Sequence, residues 1–138
     1  MIPAYASLLK NHFDWQRWED LILQEKIYLD RPQHAAHPQY PDIIYPMNYG
    51  YICNTLSSDQ EEVDVFVGSG KPSLVGLMVT TDVIHQMQEI KLLWSCTPAE
   101  IYMAYGFINF DRSRLKGWLI LRYPMKKIWE LMEEYYPI

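Results

Sequence analysis

EEVDVFVGSGKPSLVGLMVTTDVIHQMQEIKLLW, residues 61–94, sets three apolar runs between turn-forming residues. Val63–Val67 reads as a strand, ended by the Gly68-Ser69-Gly70-Lys71-Pro72 turn. Leu74–Thr81 and Ile90–Trp94 read as two more, the first containing Gly76. Runs this short, rich in Val and Leu and bounded by Gly and Pro, suit strands better than helices. Upstream, Ile43–Asn54 is rich in Tyr and Ile but broken by Pro46 and Gly50, which suits a bent or bulged strand. Lys26–Asp30 alternates as a short strand, and the three prolines of RPQHAAHPQYPD, residues 31–42, require a loop.

Helices flank this β-rich centre. Residues 13–24, FDWQRWEDLILQ, place Trp15, Trp18, Leu21 and Ile22 on one face, with Asp14 as a cap. Thr97-Pro98-Ala99-Glu100 combines a capping residue, a proline for the first helical position and a glutamate that can reach back; the helix is expected to run to about Asn109. Gly117–Tyr123 reads as a strand and Met125–Tyr136 as an amphipathic helix. The expected fold class is α+β, mainly β, with the strands curled into a small barrel. The 138 residues suit one domain, since domains cluster at roughly 100–150 residues. No internal repeat or linker divides residues 1–138.

Composition narrows the function. Acidic residues outnumber basic ones by 17 to 12, for a net charge of −5, which argues against nucleic-acid binding. A small phosphate ligand stays compatible if divalent cations stand between it and the acids. Cys53 and Cys96 form neither a disulfide framework nor a metal-ligand pair, and read as free thiols of a reducing compartment. No apolar run reaches the roughly 18 residues that span a bilayer, and the N-terminal residues do not resemble a secretory signal. No membrane partner and a cytoplasmic location are therefore expected.

Asp59-Gln60-Glu61-Glu62-Val63-Asp64 packs four carboxylates into six residues. Charges this close repel unless neutralised, and a hard cation such as Mg²⁺ does so through carboxylate oxygens. A solvated acidic turn has the same appearance. Asp82 ends one expected strand, and Glu89-Ile90-Lys91 begins the next with Glu89 and Lys91 on one face. That pairing suits a metal with its phosphate ligand, or a plain surface ion pair. Tyr49, within Tyr45-Pro46-Met47-Asn48-Tyr49-Gly50-Tyr51, can present a hydroxyl to an oxyanion, whereas Tyr45 and Tyr51 read as core aromatics. Arg31, in Asp30-Arg31-Pro32, offers a fork of donors to phosphate oxygens or to a neighbouring acid. His34 and His37 sit in a loop and His85 between Asp82 and Glu89, none has a helical histidine partner at ligand spacing, and all three read as structural or solvated.

In order and spacing, these motifs resemble the soluble family I inorganic pyrophosphatases, and in particular the short bacterial type. The family's Y-P-x-N-Y-G-Y stands as YPMNYGY at 45–51, and its D-x-D-P-x-D as DQEEVD at 59–64. The later acids stand as TTD at 80–82 and EIK at 89–91; HPQYPD at 37–42 follows the D-R-P at 30–32. The resemblance covers roughly residues 27–96. It implies a five-stranded barrel of the oligonucleotide-binding type flanked by helices, pyrophosphate as substrate, and Mg²⁺ as cofactor with Mn²⁺ a possible substitute. It further implies that Asp59, Asp64, Asp82 and Glu89 are metal ligands and that Glu61 accepts the proton of the attacking water. Arg31, Tyr49 and Lys91 become phosphate contacts, and Tyr49 joins Glu61 in the catalytic set. Homo-oligomers are implied as well, with Trp15, Trp18, Trp129, Tyr135 and Tyr136 as interface candidates.

The chain departs from the family at identifiable points. Glu61 and Glu89 stand where Asp is usual, two extra residues separate Asp82 from Glu89, and the late Tyr-Lys pair and early lysine have no clear counterpart. Two other readings follow: hydrolysis of a larger diphosphate or nucleotide, and a non-catalytic binding or assembly module. The retained acids argue against the module.

Overall fold

The computed structural model describes residues 11–55 and 61–133. Helix α1, Trp15–Glu25, starts at Asp14, whose side chain accepts from the Arg17 N–H at 3.1 Å. Strands β1 (Ile27–Arg31), β2 (Asn48–Ile52), β3 (Val63–Val67), β4 (Leu74–Asp82) and β5 (Met87–Trp94) follow. Helix α2 (Pro98–Asn109), strand β6 (Leu115–Leu121) and helix α3 (Met125–Met132) complete the order. The expected capping box opens α2: the Glu100 N–H donates to Thr97 Oγ1 at 3.3 Å, and the Thr97 N–H donates to Glu100 Oε1 at 3.0 Å. The C-terminal helix is followed to Met132; the rest of the expected span, from residue 134 on, lies outside the described residues.

The strands form one mixed sheet in the order β1-β2-β3-β5-β4-β6. β3 and β5 run parallel; the other neighbours are antiparallel. Six strands therefore replace the five implied by the family resemblance. The sheet is open, with β1 and β6 at opposite edges and no pairing between them among the described residues. β6, expected at Gly117–Tyr123 and found at Leu115–Leu121, pairs along β4 from Gly76–Leu121 to Asp82–Leu115.

The bent strand expected over 43–54 is confined to Asn48–Ile52. Residues 32–47 instead double back on themselves. His34 N–H donates to the Tyr45 carbonyl at 2.8 Å, Tyr45 N–H to the Ala35 carbonyl at 2.9 Å, and His37 N–H to the Ile43 carbonyl at 2.8 Å. Pro46 brings no N–H to extend the ladder, so β2 begins after it. The irregularity falls in β1: Leu29 faces Gly50 and Arg31 faces Tyr49, so Asp30 is the extra residue. A bulge of this kind turns the strand and re-aims the next side chain, here Arg31. Gly50 allows the close approach, because a Cβ there would stand 2.0 Å from the Tyr28 carbonyl oxygen.

Strand periodicity divides the core between the two faces. Phe66, Met78 and Leu93 pack under α2 and α3 with Ile101, Ile108, Ile128 and Met132. Val65, Leu77, Val79 and Leu92 face the other way, toward Ile22, with Trp15 and Trp18 of α1 packed against that cluster. Trp15 and Trp18 thus find cover within the chain, while Trp129 stays 56% exposed. Tyr135 and Tyr136 lie outside the described residues. β4, covered on both faces, is buried from Leu74 to Thr80, which explains its nearly unbroken apolar run.

Candidate active site

The face that is apolar beneath α2 becomes polar as the strands run on. Two residues from Phe66 on β3 stands Asp64; two and four residues from Leu93 on β5 stand Lys91 and Glu89. On β4, Met78 is followed at the same spacing by Thr80 and Asp82. Side-chain alternation brings all of them to one side of the sheet. Phe107 in the last turn of α2, and Phe110, Asp111 and Arg114 beyond it, close the space above them, leaving a cavity of about 390 Å³.

Lys91, only 9% exposed, forms the centre of the polar cluster. Its ammonium donates to the Tyr49 hydroxyl at 2.9 Å, Asp64 Oδ2 at 3.0 Å and Glu89 Oε2 at 3.2 Å, so three acceptors meet three donors. The Tyr49 hydroxyl donates its own proton to Asp64 Oδ2 at 2.6 Å. Burial raises the Tyr49 pKa, against the pull of the Lys91 charge, and keeps the phenol neutral. Burial alone would lower Lys91, but the oxygens of Tyr49, Asp64 and Glu89 outweigh it and hold the ammonium above the ordinary lysine range.

Arg31 enters from the β1 bulge. Its guanidinium carbon lies 5.2 Å from the Tyr45 ring centre and 5.8 Å from that of Tyr49, and it donates to the Tyr45 hydroxyl. Its buried Nε has no hydrogen-bond partner among the described residues; the Asp30 carboxylate is 3.7 Å away. That unused donor beside a cavity is suited to an anionic oxygen.

Asp82 lines the same cavity, but its carboxylate caps its own turn. Oδ1 accepts from the His85 N–H at 3.0 Å, and Oδ2 lies 2.9 Å from His85 Nδ1. The backbone bond first, and the imidazole contact after it, lower the Asp82 pKa. Asp82 pairs with Met87 and Glu89 with Thr80 across the hairpin, so the two acids make different contacts. Glu61 is exposed at the bend before β3 and is not among the cavity-lining residues; Asp59 lies outside the described residues.

The structure thus brings together Arg31, Tyr49, Asp64, Glu89 and Lys91, with Asp82 at another part of the cavity wall. It also adds residues that sequence reasoning set aside. Tyr45, assigned to the core, is buried and yet holds Arg31; His37 and His85 line the cavity rather than standing apart from it. Asp111 and Arg114 come from after α2, and no local pattern linked them to the earlier motifs.

The fold is thus a mixed sheet of mainly β architecture with a cavity where Lys91 and Arg31 stand near the Tyr49 hydroxyl. The family model described as "Inorganic pyrophosphatase" matches residues 7–91, more than half of the sequence, and the chain belongs to that family. It is 37% identical over 46 residues to the inorganic pyrophosphatase of Mycoplasma pneumoniae, covering 33% of this chain and 25% of that protein. It is 35% identical over 78 residues to the inorganic pyrophosphatase of Yersinia pestis, covering 56% of this chain and 37% of that protein. The matched stretches therefore span between a quarter and about two fifths of those relatives. The solved structure of the Helicobacter pylori inorganic pyrophosphatase is similar with a TM-score of 0.47 at 16% identity, covering 79% of this chain and 91% of that one. Among the described residues, no helix is long and apolar enough to cross a membrane.

Proposed function

We infer that the protein hydrolyses inorganic pyrophosphate to two orthophosphates and that it works with Mg²⁺. The observation that carries this reading is the Lys91 cluster with Tyr49 and Asp64, opened to a cavity beside an unused Arg31 donor and built on the family-matched residues.

The donor set suits a hard divalent cation. Asp30, Asp64, Asp82 and Asp111 line the cavity against Arg31, Lys91 and Arg114, so carboxylates exceed permanent cations. Among the described residues no three of His, Cys, Asp and Glu converge into a closed cage. Mg²⁺ does not need one, since it is held by one or two carboxylates together with waters and substrate phosphates. On the family pattern, Asp59, Asp64, Asp82 and Glu89 would hold it. When bound, such an ion supplies hydroxide near neutral pH by lowering the pKa of coordinated water.

The chain's own groups supply the rest. Asp64 and Glu89 fix the Lys91 ammonium, which with the Arg31 guanidinium neutralises charge gathering on the phosphoryl oxygens. Tyr49, kept neutral, holds its hydroxyl between Lys91 and Asp64 and orients both. Glu61, in the family's position for it, accepts the water's proton. The proposed metal ligands and homo-oligomeric state rest on the family pattern, and the cytoplasmic setting on the free thiols Cys53 and Cys96. Phosphate release from pyrophosphate by the protein with Mg²⁺, compared with a Lys91→Ala variant, tests the reading.

A further inference from the structure

Tyr40, Ile84 and Phe110 line the same cavity as Arg31 and Lys91, yet they remain 48%, 63% and 69% exposed. They come from three separate segments: the 32–47 loop, the β4–β5 turn and the residue that ends α2. Large apolar side chains left in water forgo the stabilisation that burial brings, and single exposed ones are common on any surface. Here three of them collect in the cavity that also holds Lys91 and the unused Arg31 donor. Bare pyrophosphate has no apolar surface to cover them. The cavity volume of about 390 Å³ falls within the range of roughly 300–1,000 Å³ that holds ligands of drug size.

Building on the hydrolytic reading above, we propose that the site takes an organic diphosphate: a phosphoanhydride with an aromatic or short apolar group on one end. The anhydride lies against Arg31 and Lys91, and the organic group covers Phe110, Ile84 and Tyr40. A water oxygen forms a new bond to the terminal phosphorus as the bond from that phosphorus to the bridging oxygen breaks. The bridging oxygen leaves with the organic monophosphate, the terminal phosphoryl becomes orthophosphate, and the proton released by the water passes to Glu61 and on to solvent. No oxidant or reductant is involved.

The 138-residue chain with Mg²⁺ is assayed on pyrophosphate, uridine diphosphate and dimethylallyl diphosphate. At least one organic diphosphate is expected to reach a kcat/KM equal to or above that of pyrophosphate, and the better of the two shows whether a flat or an aliphatic group fits. Phe110→Ala should move the ratio of the two kcat/KM values about tenfold toward pyrophosphate, the worth of a small apolar contact in a pocket. Turnover of pyrophosphate alone would overturn the proposal, as would a ratio that Phe110→Ala leaves unmoved. A change of mass in light scattering without a change of ratio would likewise overturn it and make this rim a protein interface. If no substrate turns over, the hydrolytic reading fails and calorimetry decides the proposal. Tighter binding of α,β-methylene uridine diphosphate than of methylenediphosphonate, lost in Phe110→Ala, supports it; equal or weaker binding overturns it.

Discussion

The Tyr49 hydroxyl donates to Asp64 Oδ2 across 2.6 Å, and Lys91 donates to both oxygens from the third corner. The triangle is largely buried, and its members stand on three strands, β2, β3 and β5. Removing a corner therefore exposes the others to the cost of an unmet buried polar group. Tyr49→Phe is expected to lower unfolding free energy by about 1–3 kcal/mol. Lys91→Met should cost more, about 3–5 kcal/mol, because it leaves carboxylates uncompensated. Urea titrations of the single and double variants check the order and the coupling. Additive losses would show that the three groups do not act together.

Gly50→Ala places a Cβ 2.0 Å from the Tyr28 carbonyl oxygen, so β1 must move. A loss of about 1–3 kcal/mol is expected, as for overpacking. Because the β1 bulge aims Arg31, the KM for a phosphate substrate should rise as well. Stability and KM both equal to wild type would separate Arg31 from the bulge.

Much of this arrangement was legible in the sequence wherever the signal was local. The β3 run, the β4 run and the Thr97-Glu100 capping box carry their own evidence, and the structure places them within a residue or two of the expectation. Residues 43–47 were not legible as loop, because what holds them is a set of backbone bonds to His34, Ala35 and His37, partners six to eleven residues upstream. Tyr45 looked like core and is core by burial; its second role, holding Arg31, depends on the β1 bulge. The sixth strand was legible at Gly117–Tyr123 and forms at Leu115–Leu121, whereas its place beside β4 is a long-range pairing that no local pattern shows. Asp111 and Arg114 reach the cavity through the same return of the chain.

His37 supplies the pH dependence. Burial first, and the charge of Arg31 second, lower its pKa, and its Nδ1 accepts from the Gln39 N–H at 3.1 Å, which requires a free lone pair. The unfolded chain thus binds more protons than the folded one between the two values, so stability rises with pH there. The contribution is present above the ordinary histidine value of about 6.5 and is lost as pH falls through the lower folded value. Thermal melts between pH 8 and pH 5 should show wild type losing more than His37→Asn. A parallel decline in both proteins would remove His37 from the account.

Glu61→Gln is expected to bind metal and pyrophosphate almost normally but to lose turnover by roughly a hundred- to ten-thousandfold, the usual worth of a general base. Glu62→Gln, the neighbouring control, should change the rate little. Steady-state kinetics of the two variants checks this, and equal losses, or a larger loss in Glu62→Gln, would reassign the base.

The most direct measurement is phosphate release from pyrophosphate by the purified protein, with Mg²⁺, with Mn²⁺ and with both removed by chelation. The account predicts two orthophosphates per pyrophosphate, strict dependence on the divalent ion, and a rate about a hundred- to a thousandfold lower in Lys91→Ala, as for loss of one charge-stabilising donor. No release above the blank with either ion would contradict it.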